Sequence, residues 1–238
     1  MDIIIVLTLL LGILLIGYYI FNIKIKDMKN ARNNEKLDNI TSKFPENKEI
    51  CESILKMLNN TKVEIKETED KDNKTSLYIA ISDTIFIANI KDTYTRIQTI
   101  AHECLHSIQS RRLLLFNFIY SNIYILYFIL SIILTIFGIF KNYSLQIIIL
   151  AILGFFYYVI RSYLETDAMI KAKYLAKDYM YKYIEENKIC KKEEVEEVIR
   201  QYDKINNLGI PAINYMLMFN CFSKVLVYIL LIIFLKLF

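Results

Sequence analysis

Hydrophobic and charged residues are segregated along this chain of 238 residues. Four long runs carry almost no charge; they span residues 3–23, 113–140, 145–160 and 212–234, with Lys224 inside the last. A helix needs about 20 apolar residues to cross a bilayer. Four such runs are improbable in a soluble helical core. The pattern predicts a mainly α-helical, multi-pass membrane protein with about four transmembrane helices, the second and third forming a hairpin.

Lysines and arginines are concentrated in two of the segments that flank these runs. Lysines and arginines follow the first run at once, whereas only Asp2 and the initiator Met1 precede it. Of the 29 lysines and arginines, 26 lie in residues 24–112 and 161–211. By the positive-inside rule, both segments are cytoplasmic and the N-terminus is outside. The first run lacks the basic flank and cleavage site of a signal peptide, so we expect it to remain as a helix in the plasma membrane.

This orientation divides the chain into five predicted parts. They are transmembrane helix 1 (1–23), a cytoplasmic part (24–112), the transmembrane hairpin (113–160), cytoplasmic helices (161–211) and transmembrane helix 4 (212–238). We expect residues 24–44 to continue the first helix into the cytoplasm. Gly209-Ile210-Pro211 is expected to end the loop before the last helix.

The first cytoplasmic part predicts a helix followed by a small sheet. Apolar residues at helical spacing follow Pro45 and stop at Asn59-Asn60, which is typical of a short amphipathic helix. Residues 63–66 alternate, and 77–81 and 84–90 are rich in β-branched and aromatic residues. Residues 69–74 are typical of a turn between strands. We therefore expect a short β-hairpin or three-stranded sheet.

The only two histidines of the chain, His102 and His106, are four residues apart, and Glu103 stands between them in an HExxH motif. Helical spacing places both imidazoles on one face, where they can bind one zinc ion. Glu103 is close enough to act as the general base toward a water on that ion. We expect the motif helix to begin near Thr93 or Thr95 and to run without a break into the second apolar run.

A catalytic zinc ion needs three protein ligands and an open position for water. Because no histidine remains, the third ligand is a carboxylate or a thiolate. Glu165 lies five residues past the third apolar run, and the membrane hairpin returns it to the same side as His106. Asp167 is the alternative two residues later. The geometry favours His102, His106 and Glu165 as metal ligands, with one Zn²⁺ per chain.

The net charge and the cysteine content indicate which other classes of protein the sequence does not resemble. The net charge of +4 reflects the membrane topology, since both cytoplasmic parts are nearly charge-balanced. No nucleic-acid surface is indicated. The four cysteines show no paired spacing and are expected to be reduced, because three are predicted at the cytoplasmic face. Cys104, inside the motif, points away from His102 and is interpreted as a packing residue.

Two sequence blocks resemble those of a known family. They are Ala101-His-Glu-Cys-Leu-His-Ser-Ile-Gln109 and Tyr163-Leu-Glu-Thr-Asp-Ala168, separated by the membrane hairpin. This order is similar to that of the YugP-type neutral zinc metallopeptidases of bacterial membranes, across nearly the whole chain. Leu105 stands where that family usually has glycine. The resemblance implies a zincin-like cytoplasmic part in which Glu165 is the third zinc ligand and Asp167-Ala168 accompany it.

Together these features predict a membrane-bound zinc endopeptidase with its active site facing the cytoplasm. Glu103 is the expected catalytic residue, and the expected partners are the lipid bilayer and a peptide or protein substrate, membrane-associated ones included. The alternative is a non-catalytic membrane protein with a structural metal site, or a degenerate peptidase that serves as a binding scaffold. Retention of Glu103 favours the enzyme, because a structural site needs ligands but no base.

Overall fold

The computed structural model describes residues 2–32, 34–68 and 75–237. The protein is mainly helical, with 75% of its residues in helices. The helices are α1 (Asp2–Ile20), α2 (Ile25–Arg32), α3 (Glu35–Thr41), α4 (Asn47–Met57), α5 (Arg96–Ile108), α6 (Arg111–Ile136), α7 (Tyr143–Asn187) and α8 (Lys192–Leu237). The strands are β1 (Glu64–Glu67), β2 (Leu77–Ile79) and β3 (Thr84–Ile87). The expected mainly helical chain with a small sheet is confirmed.

The chain divides into two compact units. One, here called the apolar unit, contains Met1–Ile23, Phe116–Tyr163 and Pro211–Phe238. The other, here called the polar unit, contains Lys24–Leu115 and Leu164–Ile210. The long helices α6, α7 and α8 each contribute residues to both units.

Most of the residues that could cross a membrane belong to the apolar unit. Three helices, α6, α7 and α8, are long and apolar enough to cross a membrane by length and composition, which indicates membrane association. The predicted first span lies in α1, where the described side chains form only a shorter apolar stretch, Leu11–Ile20. The count of four spans therefore stays a prediction.

The polar unit is built around a continuous apolar core. Helix α4 contributes the fully buried Ile50 and Ile54, and β3 contributes Ile85 and Ile87. Alanines of α7 at helical spacing, Ala168, Ala172 and Ala176, let neighbouring elements approach closely and are also buried. Burial of this kind is the main source of stability for a folded unit in water.

The sheet has the strand order β1-β3-β2. Strand β3 pairs in parallel with β1 and antiparallel with β2, so the hairpin is formed by β2 and β3. The expected three-stranded sheet is therefore present. The turn predicted at 69–74 lies outside the described residues.

One prediction about a helix boundary was wrong at the start of the chain. Residues 24–44 do not continue the first helix; α1 ends at Ile20, and α2 and α3 follow as separate short helices. The backbone at Asn22 has a φ of 49°, in the left-handed region that interrupts a helix. Asn34 then starts α3 by accepting a hydrogen bond from the N–H of Leu37 at 3.2 Å.

The loop expected to end at Gly209-Ile210-Pro211 is absent from the described chain, because α8 runs without a break from Lys192 to Leu237. Proline removes one backbone donor and disfavours a helix interior. Pro211 nevertheless lies inside α8. Two residues earlier, Gly209 has no side chain and leaves room for the methyl group of Met169, which lies 3.0 Å from the position a Cβ would take.

Candidate metal and active site

Helix α5 positions the motif because one of its faces is completely apolar. Ile97, Ile100, Ala101 and Cys104 follow the spacing of a helical stripe and are all fully buried. The sulfur of Cys104 lies 3.6 Å from that of Cys51 in α4, so Cys104 packs as expected. Ile108, at the next position of this spacing, is the last residue of the helix and is 47% exposed.

Two polar residues that precede the motif in α5, Arg96 and Gln98, are buried. The guanidinium of Arg96 donates to the carbonyls of Thr41, Phe44 and Pro45 at 2.7–3.0 Å and to the side chain of Asn47 at 3.0 Å. These bonds compensate the burial of the charge and fix the start of α5 against the α3–α4 connection.

The motif helix breaks after Ile108, contrary to the expected continuous helix into the second apolar run. Gln109 is extended, with φ −63° and ψ 159°, and its N–H still bonds to the carbonyls of Leu105 and His106 at 3.2 Å. Helix α6 begins two residues later, at Arg111. The break turns the Gln109 side chain toward α7.

The structure brings together three of the predicted site residues. His102 Nε2 and His106 Nε2 are 3.0 Å apart, and Glu165 Oε2 lies 3.4 Å from the first and 3.8 Å from the second. The side chains of His102 and Glu165 are 17% and 13% exposed. The group is therefore mostly enclosed, yet water can reach it.

These donor atoms fit a metal ion. A point equidistant from the three atoms lies about 2.0 Å from each, which matches the usual Zn–N and Zn–O distances of about 2.0–2.2 Å. Two imidazoles and one carboxylate are also the donor set of many catalytic zinc sites. His102, His106 and Glu165 can thus hold a metal ion.

Asp167, the alternative third ligand, lies outside this group. Its carboxylate bonds to the ammonium of Lys171 at 2.6 Å and to the amide of Gln109 at 3.3 Å. Burial of Asp167 raises the pKa of its carboxyl, but the bonds from Lys171 and Gln109 outweigh burial and lower the pKa below its usual value. Its place two residues after Glu165 turns Asp167 to another side of α7.

Glu103 is buried beside the group, with 7% of its surface exposed. Burial raises the pKa of its carboxyl, opposed by the two neighbouring histidines. The backbone N–H of Tyr78 in β2 donates a hydrogen bond to this carboxylate. Strand β2 therefore holds Glu103 in place, a contact that no sequence pattern predicted.

Negatively charged groups and a hydrogen-bond acceptor surround His106 and determine the direction of its pKa shift. Burial alone lowers the pKa of His106, but the nearby carboxylates of Glu165 and Glu103 and the hydrogen bond to Gln109 raise the pKa above its ordinary value. The amide oxygen of Gln109 accepts a hydrogen bond from Nδ1 of His106 at 2.8 Å. Gln109 stands inside the HExxH block of the sequence, where it carried no predicted role.

Comparisons of the chain with protein-family models, with curated proteins and with solved structures gave no match.

Proposed function

We propose that this chain is a membrane-bound zinc metallopeptidase that hydrolyses peptide bonds. The observation that carries the proposal is a buried carboxylate, Glu103, beside a group of three metal-binding side chains. A structural zinc site normally has four protein ligands. Among residues 2–32, 34–68 and 75–237, no fourth histidine, cysteine or carboxylate joins the group. Three ligands, an open position and an adjacent base are the composition of a catalytic site.

The proposed reaction assigns a separate role to each residue. A zinc ion held by His102, His106 and Glu165 would supply a Lewis acid and lower the pKa of water toward about 7. Glu103 takes a proton from the attacking water and passes it to the leaving amine. The N–H of Tyr78 keeps the Glu103 carboxylate oriented for both transfers.

The position of β2 supports a peptide as the substrate. Strand β2 lies at an edge of the sheet, and the same strand bonds to Glu103 through the backbone of Tyr78. Extended peptides commonly bind by adding to such an edge through main-chain hydrogen bonds. A peptide or protein substrate bound there would present its backbone close to Glu103.

Two further observations support the proposal. The two sequence blocks resemble those of YugP-type metallopeptidases of bacterial membranes, and the charge distribution favours a site at the cytoplasmic face of the plasma membrane. Leu105, at the family's glycine position, is 6% exposed and forms part of the core. Its side chain packs inside the polar unit and leaves the metal-binding face of α5 to His102 and His106.

The decisive experiment compares the wild type with Glu103→Gln in the full-length, detergent-purified protein. The amide keeps the size of the side chain but cannot act as a base. We expect both proteins to contain about one zinc per chain, while cleavage of a denatured casein-like substrate falls by about two to four orders of magnitude in the variant. Equal cleavage by both proteins excludes the mechanism. Zinc in both with cleavage by neither favours the structural-site alternative.

A further inference from the structure

Gln109 lies where its three polar contacts determine the orientation of its amide. On one side its nitrogen lies 2.9 Å from the carbonyl oxygen of Leu164 and 3.3 Å from Oδ2 of Asp167. On the other side its oxygen lies 2.8 Å from Nδ1 of His106. The carbonyl accepts hydrogen bonds and cannot donate, and an ionised carboxylate behaves in the same way. The NH₂ group must therefore face Leu164 and Asp167, and the amide oxygen must face His106.

This orientation determines which nitrogen of His106 carries the proton. The amide oxygen of Gln109 only accepts, so Nδ1 of His106 must be the donor. A neutral imidazole has one N–H, which leaves Nε2 with a free lone pair. That Nε2 is the atom 3.0 Å from His102 Nε2 and 3.8 Å from Glu165 Oε2. The chain of contacts from α7 through Gln109 thus directs a lone pair into the metal group.

Asp167 belongs to the same set of contacts. Lys171 lies 2.6 Å from its carboxylate and holds it in place beside the amide nitrogen of Gln109. Asp167 is one turn before Lys171 on α7, so this pair is held by the helix itself. Asp167 is thereby connected to the metal group through Gln109, without being a ligand.

We propose that Gln109 is a positioning residue that selects the metal-binding tautomer of His106 and is itself oriented by Asp167 and the Leu164 carbonyl. The proposal rests on the metal site of the proposed function and does not depend on peptide hydrolysis. Hydrogen bonds to the second nitrogen of a ligating histidine typically change metal affinity by about ten- to a hundred-fold when they are removed. An unconstrained neutral histidine populates both tautomers.

The tautomer is measured by nitrogen NMR of full-length protein labelled only in histidine. The chain has two histidines, and a His102→Ala sample assigns the signals. With metal removed by a chelator and both imidazoles neutral, we expect wild-type His106 to carry its proton on Nδ1. Gln109→Met, which removes both the acceptor and the donor, should give a mixture of tautomers. Gln109→Glu restores the acceptor oxygen and should return the proton to Nδ1.

Zinc affinity, measured by competition with a chromogenic chelator, provides the second result. We expect about ten- to a hundred-fold weaker binding in Gln109→Met and binding within a few-fold of wild type in Gln109→Glu. Gln98→Met is the matched control, because it removes a buried amide of α5 that bonds to Asn206 at 2.7 Å and lies outside the metal group. It should leave the zinc affinity unchanged.

Two outcomes overturn the proposal. One is a wild-type His106 protonated on Nε2, which needs no variant to fold. The other is a Gln109→Met protein that keeps both the Nδ1–H tautomer and wild-type zinc affinity. A wild type that binds zinc but cleaves no peptide leaves the proposal standing, because neither measurement involves catalysis.

Discussion

The two units of this protein place their apolar residues in opposite ways. In the apolar unit, only 17%, 17% and 11% of the residues in the most apolar 18-residue stretches of α6, α7 and α8 are buried inside the protein. In the polar unit, the apolar residues of α4, α5 and β3 are almost fully enclosed. The exposed apolar surface of the first unit would be unfavourable in water and is favourable in lipid. The two units are therefore stabilised in different solvents.

The difference extends to the role of polar groups. Helices in lipid gain little from the hydrophobic effect and associate by packing and hydrogen bonds. In the apolar unit, Thr135 bonds to Tyr228 at 2.8 Å and the hydroxyl of Tyr120 donates to the carbonyl of Leu153 at 3.1 Å. In the polar unit, the buried polar groups of α5 instead connect the candidate site to its surroundings. All four candidate site residues belong to the polar unit.

The strongest test of this difference between the units determines on which side of the membrane residues 24–112, 141–144 and 161–211 lie. Single cysteines at the exposed positions Lys62, Asn142 and Asn187, in a background without the four native cysteines, report accessibility to an impermeant label. We expect positions 62 and 187 to react only from the cytoplasmic side and position 142 only from outside. Reaction of positions 62 and 187 from opposite sides would contradict the active-site assignment.

The next largest effect concerns the metal ligands. Replacing either histidine, as in His102→Ala or His106→Ala, should abolish zinc binding in metal analysis, because the remaining two ligands hold zinc poorly. Glu165→Ala should weaken binding by about a hundred-fold or more.

Asp167→Ala is the matched control, since Asp167 contacts Gln109 but lies outside the metal group. It should retain most of the zinc. Full zinc in Glu165→Ala together with its loss in Asp167→Ala would show that the third ligand was assigned wrongly.

A third effect is expected on the stability of the polar unit. Arg96→Met leaves the carbonyls of Thr41, Phe44 and Pro45 buried without their donor. We expect the free energy of unfolding to fall by roughly 2–4 kcal/mol, measured by denaturation in detergent, with faster hydrogen exchange in α4 and α5. The exposed pair of Lys36 and Glu197 provides the control, because Lys36→Met should change stability by less than about 0.5 kcal/mol.

Hydrophobic periodicity and motif spacing in the sequence predicted several elements of the fold and the three residues of the metal group. The stripe after Pro45 predicted α4, and the β-branched runs predicted β2 and β3, because local pattern and burial agree there. The HExxH spacing and the hairpin argument predicted the three residues that the structure brings within reach of one another. These features depend on short-range geometry that a sequence records directly.

The features that the sequence did not predict depend on tertiary contacts, which have no local sequence pattern. The burial of Arg96 has no signal in the sequence, because its four acceptors come from a distant segment of the chain. The helix break at Gln109 has no proline or glycine to mark it. Conversely, Gly209-Ile210-Pro211 was expected to end a loop before the last helix, but these residues lie inside the continuous helix α8, although proline disfavours a helix interior. The Tyr78 bond to Glu103 joins elements far apart in sequence.

The smallest effect, and the most specific test of the comparison, concerns the lysine inside the last apolar run. Lys224 lies 5.2 Å from the ring centre of Tyr124 and bonds to Asn220. Residues 116–163 and 211–238 contain no aspartate or glutamate, so this part of the sequence offers the ammonium no carboxylate. A lysine at the centre of a span is unfavourable by about 2.5–3.5 kcal/mol, less where the side chain reaches the interface.

Lys224→Met should therefore stabilise the protein, opposite in sign to Arg96→Met. We expect a gain of about 1–2 kcal/mol in lipid nanodiscs, with slower hydrogen exchange confined to α6, α7 and α8. Lys236→Met is the matched control, because Lys236 lies at the end of α8, 5.7 Å from the ring centre of Tyr143, where an ammonium is already near water. It should have almost no effect. A loss of stability in Lys224→Met would mean that the apolar unit depends on a buried cation as the polar unit depends on Arg96, and that the contrast between the two units is wrong.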